Sequence, residues 1–490
     1  PISNKVKRDY PIMVVIGNPP YSVSSSNKGD HIEDRMDRYK TAVRSERNIQ
    51  PLSDDYIKFI RFAHDRIERT GHGVIGFITN HSYLSGLIHR GMREELLKTF
   101  DEIYILNLHG NALMGETAPD GGKDENVFDI RQGVAIALMV RTGKGEGLAA
   151  VHHADLWGER EDKYRVLNEN DVETLNWETL EPIAPHFFFV PKNFQLEDEY
   201  KQGHRVTEIF GTGNFYSDQG KAWGSGVKTN RDYLLVEFER STLEKRIRAL
   251  ANGDIQDEKV KDRFEIEDNN YWNTHRERQK IREADWQQNI VPYLYRPFDK
   301  RWLLYQPNLI EINRGGASKY VMHHMKYENV ALLAMRQVAW GDQYSHFGVS
   351  DTIVDNRAFV SNRGILVAFP LYLYPNNGFA TLFDNADMSP WSPDPDHGNR
   401  VPNLAPTFVQ AVEAKLGLSF QHPASGNQPD TFTPEDLLAY IYAIFHSPTY
   451  RKRYAEFLKI DFPRVPITSN ADLFWQLVAL GQELIDLHLM

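Results

Sequence analysis

Four adjacent residues, Asn18-Pro19-Pro20-Tyr21, carry the sharpest chemistry in the sequence. They directly follow residues 11–17 (PIMVVIG), a continuous apolar, β-branched run that reads as a strand buried on both faces. The carboxyl end of such a strand is where open α/β sheets build their sites. The Asn18 side-chain oxygen and the Pro19 carbonyl are two hydrogen-bond acceptors. An exocyclic amino nitrogen such as adenine's shares its lone pair with the ring and is a poor nucleophile. Two acceptors holding its two hydrogens favour a tetrahedral nitrogen that attacks a methyl donor. The prolines stiffen the turn and present carbonyls, not amide protons, to the substrate. Tyr21 supplies a flat face on which an extruded base stacks. The plain alternative is a Pro-Pro turn beside a packed tyrosine.

Periodicity outlines the elements that position this turn. Residues 54–69 place Tyr56, Phe59, Ile60, Ala63 and Ile67 on one helical face. Residues 73–79 (GVIGFIT) read as a second buried strand, and a helix near 90–99 leads into a strand over 102–108. A Gly/Asp-rich loop over 115–125 precedes a hairpin-like pair, 126–131 and 133–141. Strands alternating with helices predict a parallel α/β sheet with a β-hairpin at its end. This first part, residues 1–150, opens on a strand, so its sheet reads as incomplete.

Residues 151–205 read as a connector containing Pro182, Pro185 and Pro191, and residues 206–490 as a second, α+β domain. That domain opens with a charged helical section over 239–283 and short aromatic strands over 292–295 and 302–305. A Pro/Asn/Asp/Gly-rich linker follows over 376–406. The C-terminus is helical. Thr433 caps and Pro434 opens a helix reaching His446, Pro448 opens another, and 473–487 form a last one.

Composition narrows the function classes. The chain has 490 residues, 41% hydrophobic and 25% charged, which describes a globular protein of several domains. With no cysteine, it has no disulfide, thiolate metal site or cysteine nucleophile. No apolar run approaches the ~20 residues that span a bilayer, so a cytoplasmic protein with no membrane partner is expected. The net charge of −11 argues against coating nucleic acid by bulk charge. Residues 290–370 nevertheless hold nine Lys/Arg against six Asp/Glu, a locally basic segment within an acidic chain.

The tetrapeptide resembles the catalytic motif of amino-methyltransferases, and its Asn favours adenine N6 over cytosine N4. Residues 74–84 (VIGFITNHSYL), 107–111 (NLHGN) and 125–141 (ENVFDIRQGVAIALMVR) resemble the second half of the adenine methyltransferase domain of type ISP single-polypeptide restriction-modification enzymes. Residues 225–232 (SGVKTNRD), 295–302 (YRPFDKRW) and 440–467 (YIYAIFHSPTYRKRYAEFLKIDFPRVPI) resemble their target-recognition and C-terminal regions. The likeness runs in order over nearly the whole chain, and type IIG enzymes share several of the segments. It implies a partial Rossmann-like methyltransferase sheet followed by an α+β target-recognition domain with a helical C-terminus. It also implies S-adenosylmethionine as cofactor and double-stranded DNA as partner. Asn18, Pro19, Pro20 and Tyr21 become the catalytic residues, and Phe128 a second face for the extruded adenine.

The departures from the family pattern are equally informative. The family's Gly-rich cofactor loop precedes the catalytic motif, and only 17 residues precede Asn18 here, none of them such a loop. Residues 224–229 (GSGVKT) lack the adjacent Gly-Lys of a phosphate loop. The expectation is a C-terminal part, inactive alone, whose missing N-terminal methyltransferase half and translocase and nuclease domains belong to the same polypeptide. Residues 210–215 (FGTGNF) offer an alternative cofactor loop, with 234–239 (LLVEFE) as the following strand, which would make the chain a complete methyltransferase of permuted order. A protein or RNA methyltransferase, and a non-catalytic DNA-binding or scaffold module, are the other readings.

For DNA contact the candidates are Lys228, Arg231, Arg296, Lys300, Arg301, Arg314, Arg336 and Arg357. Arginine pairs with guanine in bidentate fashion, whereas lysine mostly neutralises phosphate. Residues 22–51, with Arg35, Arg38, Lys40, Arg44 and Arg47, read either as a loop closing over the flipped base or as an amphipathic surface helix. The pairs His152–His153 and His323–His324 point to opposite faces if on strands, so no metal site is expected.

Overall fold

The computed structural model describes residues 10–21, 25–46, 48–143, 145, 147–211, 222–269, 272–283, 285–306, 317–336, 344–359, 364–375, 390–423 and 430–490. The chain divides into two compact units, Pro1–Asn193 and Phe194–Met490.

The first unit runs β1 (Val14–Gly17), α1 (Asp30–Lys40), α2 (Asp55–Thr70), β2 (Gly73–Asn80), α3 (Arg90–Thr99) and β3 (Glu102–His109). It continues with β4 (Val134–Arg141), β5 (Ala150–Asp155), α4 (Arg160–Glu169) and β6 (Glu178–Leu180). The sheet order is β1-β2-β4-β3-β5-β6. β1 and β2 are parallel, as are β3 and β5, while β4 lies antiparallel between β2 and β3. The architecture is mixed α/β. The parallel sheet with a terminal hairpin is thereby corrected: 126–131 form no strand, and β4 is inserted at the centre of the sheet. The stretch read as a connector supplies β5, α4 and β6 to the same sheet.

Two further expectations change. β1 is not buried on both faces, since Val14 and Ile16 are 59% and 79% exposed. Among the described residues β1 pairs only with β2, so its outer edge has no strand to cover it. On α2, Phe59 is exposed and Ile57 and His64 are buried with Tyr56, Ile60, Ala63 and Ile67. The cation-rich stretch after the motif forms α1, which buries Ile32, Met36 and Tyr39 at helical spacing. Its Arg38 pairs with Glu68 and Glu95, Lys40 with Glu33, and Arg35 with Asp65. These acids belong to α1, α2 and α3, so the helical surface reading holds over 30–40, while 22–24 and Arg47 lie outside the described residues.

After short elements over 197–209, the second unit continues with β7 (Gly224–Ser225), β8 (Val236–Glu237), α5 (Arg240–Ala251), α6 (Asp257–Phe264) and α7 (Thr274–Glu283). Then come β9 (Ile290–Arg296), β10 (Asp299–Leu304), β11 (Ala331–Ala334), β12 (Phe347–Ser350), β13 (Ile353–Val354) and β14 (Val367–Pro370). Two four-stranded sheets result, β13-β9-β10-β8 and β12-β11-β14-β7. The C-terminal region packs α8 (Pro434–His446) on α9 (Ala471–Leu489). Thr433 caps α8 by accepting from the Asp436 amide while the Asp436 carboxylate accepts from the Thr433 amide, a closed capping box. Gly481 permits the helix contact, because a Cβ there would lie 1.9 Å from the Ala439 carbonyl oxygen. No helix among the described residues is long and apolar enough to cross a membrane.

Candidate active site

Strands β1, β2, β3 and β5 share one direction, so their carboxyl ends meet on one edge of the first sheet. The Asn18–Tyr21 turn leaves β1 at that edge. Asn18 and Pro20 are exposed, Pro19 is buried and Tyr21 is half-buried. The turn is thus anchored through Pro19 and presents Asn18 outward. Tyr21 stands edge-on to Tyr56, ring centroids 6.0 Å apart. Burial pushes its phenol up to about 12, with the Asp54 carboxylate adding to the shift, so it stays protonated. Tyr21 and Phe128 both pack against the small cluster of Leu106, Leu108, Val127 and Val134. The two aromatic residues singled out from sequence are therefore brought to one patch of the same edge.

A polar network that the sequence did not reveal lies along this edge. His109, at φ 53°, donates to Glu116 Oε1 at 2.8 Å and to Asp155 Oδ1 at 2.7 Å. Its ring stacks on Trp157. Burial alone would lower the imidazole pKa, but the two carboxylates outweigh it and the net shift is upward. Asn107 donates to Asp155 at 3.3 Å and its oxygen meets His81 Nδ1 at 3.0 Å, while Asn111 meets His81 Nε2 at 3.1 Å. With Asn107 as acceptor and Asn111 as donor, His81 carries its proton on Nδ1.

Behind the edge, Lys163 of α4 is buried against Asp124. Its ammonium donates to Asp124 Oδ1 at 2.6 Å, the Leu108 carbonyl at 2.8 Å and the Glu125 carbonyl at 2.6 Å, using all three protons. Asp124 also accepts from the Gly110 and Gly158 amides. Gly110 fits only as glycine: its φ is +75° and a Cβ would lie 2.4 Å from Asn126 Cα. Local pattern gives no signal for these partners, because each joins residues far apart in sequence.

In the second unit the basic candidates take different places. Arg231 is buried with its guanidinium 4.2 Å from the Trp272 ring centre. Arg296 lies over Tyr295 and pairs with Asp355 at 3.0 Å, and that carboxylate also accepts from the Tyr293 hydroxyl. Burial raises the Asp355 pKa, opposed by the Tyr293 hydrogen bond and Arg296. Arg301 pairs with Asp299 and sits between the Phe238 and Tyr295 rings. Lys300 pairs with Asp351 and donates to the Leu489 carbonyl, and Arg336 pairs with Asp461 at 3.0 Å. Arg357 is exposed and Lys228 half-buried, and neither side chain has a partner among the described residues. Arg314 lies outside the described residues.

Residues 212–215 of the alternative cofactor loop also lie outside them, and Phe210 is buried in the core of the second unit. The strand expected over 234–239 is a helical turn, Asp232–Leu235, followed by the two-residue β8. Among the described residues no group of three or more His, Asp and Glu is arranged to hold a metal ion.

Two family models match the chain. The Type ISP C-terminal specificity domain covers residues 221–490, and the Eco57I restriction-modification methylase covers residues 9–113. The DrdV–DNA complex is similar over 98% of this chain and 44% of that one, at 23% identity and TM-score 0.66. A nuclease-deletion mutant of the Type ISP restriction-modification enzyme LlaGI, bound to a DNA substrate mimic, is similar over 99% of this chain and 42% of that one, at 22% identity and TM-score 0.66. The ATP-dependent Type ISP enzyme LlaBIII bound to DNA matches over 99% of this chain and 30% of that one, at 24% identity and TM-score 0.65. These likenesses establish the fold, and the chain spans less than half the length of each. No curated protein matches it.

Proposed function

The chain belongs to the Type ISP C-terminal specificity domain family, preceded by an Eco57I-type methylase segment, and from that premise we propose that it is the catalytic-motif and DNA-reading part of a cytoplasmic DNA adenine-N6 methyltransferase in a restriction-modification polypeptide. The observation that carries this reading is the Asn18–Tyr21 turn at the carboxyl edge of the sheet, with Tyr21 and Phe128 against one apolar cluster. The six-stranded sheet is read as the second half of a Rossmann-like methyltransferase sheet.

In the reaction, Asn18 Oδ1 and the Pro19 carbonyl accept the two amino hydrogens of an adenine extruded from the duplex. The nitrogen lone pair then turns out of the ring plane, and positive charge developing on nitrogen is met by two preset acceptors. Tyr21 and Phe128 hold the base by stacking, which offsets part of the cost of unstacking it. The methylase match implies S-adenosylmethionine as methyl source. At the Gly110 turn of this edge a side chain would meet Asn126, which fills the space beside it. We assign the main cofactor loop, and any translocase or nuclease, to other segments of the polypeptide, and the chain alone is expected to be inactive.

Residues 206–490 are proposed to grip duplex DNA. Lys228 and Arg357 are its best-placed cations without a partner among the described residues, and Arg296, Lys300, Arg301 and Arg336 are preset by their acidic or aromatic partners. Asn18→Ala in the full polypeptide tests the catalytic assignment. Methyl incorporation into DNA falls by about 10²–10³-fold with DNA binding retained. An unchanged rate removes catalysis from this turn and leaves a DNA-binding module.

A further inference from the structure

Residues 125–128 lie outside any strand or helix, so their carbonyls have no ladder to join, yet one face of α4 takes all four. The Glu125 carbonyl accepts from Lys163 at 2.6 Å and the Asn126 carbonyl from Arg160 Nε at 2.7 Å. The Val127 carbonyl accepts from the Tyr164 hydroxyl at 2.5 Å and the Phe128 carbonyl from Arg160 Nη2 at 3.0 Å. Residues 160, 163 and 164 stand three and four apart, on one helical face. Arg160 also pairs with Asp129 at 2.8 Å. From the other side, Asn126 Nδ2 donates to the Gly110 and Gln132 carbonyls, and its oxygen accepts from the Phe128 amide at 2.9 Å. Phe128 is held from both flanks.

We infer that Arg160, Lys163 and Tyr164 are positioning residues whose role is to fix the Phe128 ring for stacking on the extruded base. The inference rests on the function proposed above. An aromatic platform on a free loop would lose conformational entropy at every encounter with a base. A backbone already fixed at four consecutive carbonyls loses little. The clamp therefore acts on the step after DNA binding, when the base is seated, and not on affinity for the duplex.

The test is methylation of unmodified plasmid DNA by the full polypeptide, comparing Arg160→Gln, Tyr164→Phe and Phe128→Ala, and each α4 variant combined with Phe128→Ala. Tyr164→Phe keeps the ring volume and removes one donor, so it preserves the fold even if Arg160→Gln does not. Each α4 variant lowers kcat by about tenfold, with KM for DNA within about twofold of the parent. Combined with Phe128→Ala, each is no slower than Phe128→Ala alone, because the clamp has nothing left to position. Wild-type kcat in both α4 variants, or losses that simply multiply with that of Phe128→Ala, overturn the inference and leave Phe128 its stacking role. A Phe128→Ala enzyme with unchanged kcat instead overturns the stacking role itself.

Discussion

The Lys163 ammonium and the Asp124 carboxylate meet at 2.6 Å with no solvent exposure on either side chain. They join α4 to the loop that leads into β4, and every proton of the ammonium is used. Breaking such a pair strands a charge in the interior. Lys163→Met is expected to destabilise the first unit by about 3–5 kcal/mol. Lys163→Met with Asp124→Leu should recover part of that loss, because no unpaired charge remains. Urea unfolding followed by far-UV circular dichroism reads both, and equal loss in the single and double variants would refute the argument.

His109 should make the first unit sensitive to mild alkali. Its pKa is raised above the ordinary 6.5, so the folded state binds the proton more tightly than the unfolded chain. That stabilisation is fully present below 6.5 and is lost as pH rises through the higher folded value. Asp155 and Glu116 are shifted down by the same contacts, against the opposing effect of burial. Their contribution is present above the ordinary carboxylate range and is lost on acidification. Melting temperature measured from pH 6 to pH 9 should fall more steeply for the parent than for His109→Gln. Parallel curves would show that the imidazolium contributes nothing.

Arg357 and Arg231 should behave oppositely on substitution. Arg357→Ala leaves folding intact and weakens DNA binding, by about 1–3 kcal/mol at one position if the residue reads a base. Lys228→Ala weakens binding for all sequences and reduces the salt slope by about one. Arg231→Ala removes a buried cation from the Trp272 face and costs about 0.5–2 kcal/mol of stability. Binding isotherms across salt concentrations, beside melting curves, separate the three. Unaltered binding in both Arg357→Ala and Lys228→Ala would move the DNA surface elsewhere.

The outer side of β1 should promote self-association. Val14 and Ile16 are largely exposed, and the strand's outer edge has no partner among the described residues. Such an edge templates pairing with another chain. Ile16→Lys should raise the monomer fraction of the isolated chain in sedimentation velocity. An unchanged distribution would place the association elsewhere.

Much of this was legible in the sequence where the determinants are local. Thr433, Pro434 and Asp436 mark the start of α8 within four residues. The Asn18–Tyr21 turn was visible because its four residues are adjacent and follow a strand. Three features were hidden because distant residues decide them. β4 reads locally as half of a hairpin, and only the edges offered by β2 and β3 draw it between them. β5, with the sequence AVHHAD, has two central histidines and a weak apolar signal, and it forms by pairing with β3. The α4 clamp bridges 32 to 38 residues, and REDKYR carries no mark of it beyond three polar side chains on one face. β1 was misjudged for the opposite reason: its composition suits burial between strands, but only one neighbouring strand is described.

The order β1-β2-β4-β3 also constrains how the chain is born. β2 and β3 emerge from the ribosome before β4, and neither is the other's partner in the finished sheet. Both must wait for residue 141, which at ordinary translation speeds is about 2–6 s after residue 109. During that interval two apolar strands each wait with an open edge, and β4 then closes both in a single insertion. Codons that slow synthesis between residues 110 and 141 would lengthen this vulnerable window, so the yield of folded protein should depend on translation speed in that stretch more than in any other part of the first unit.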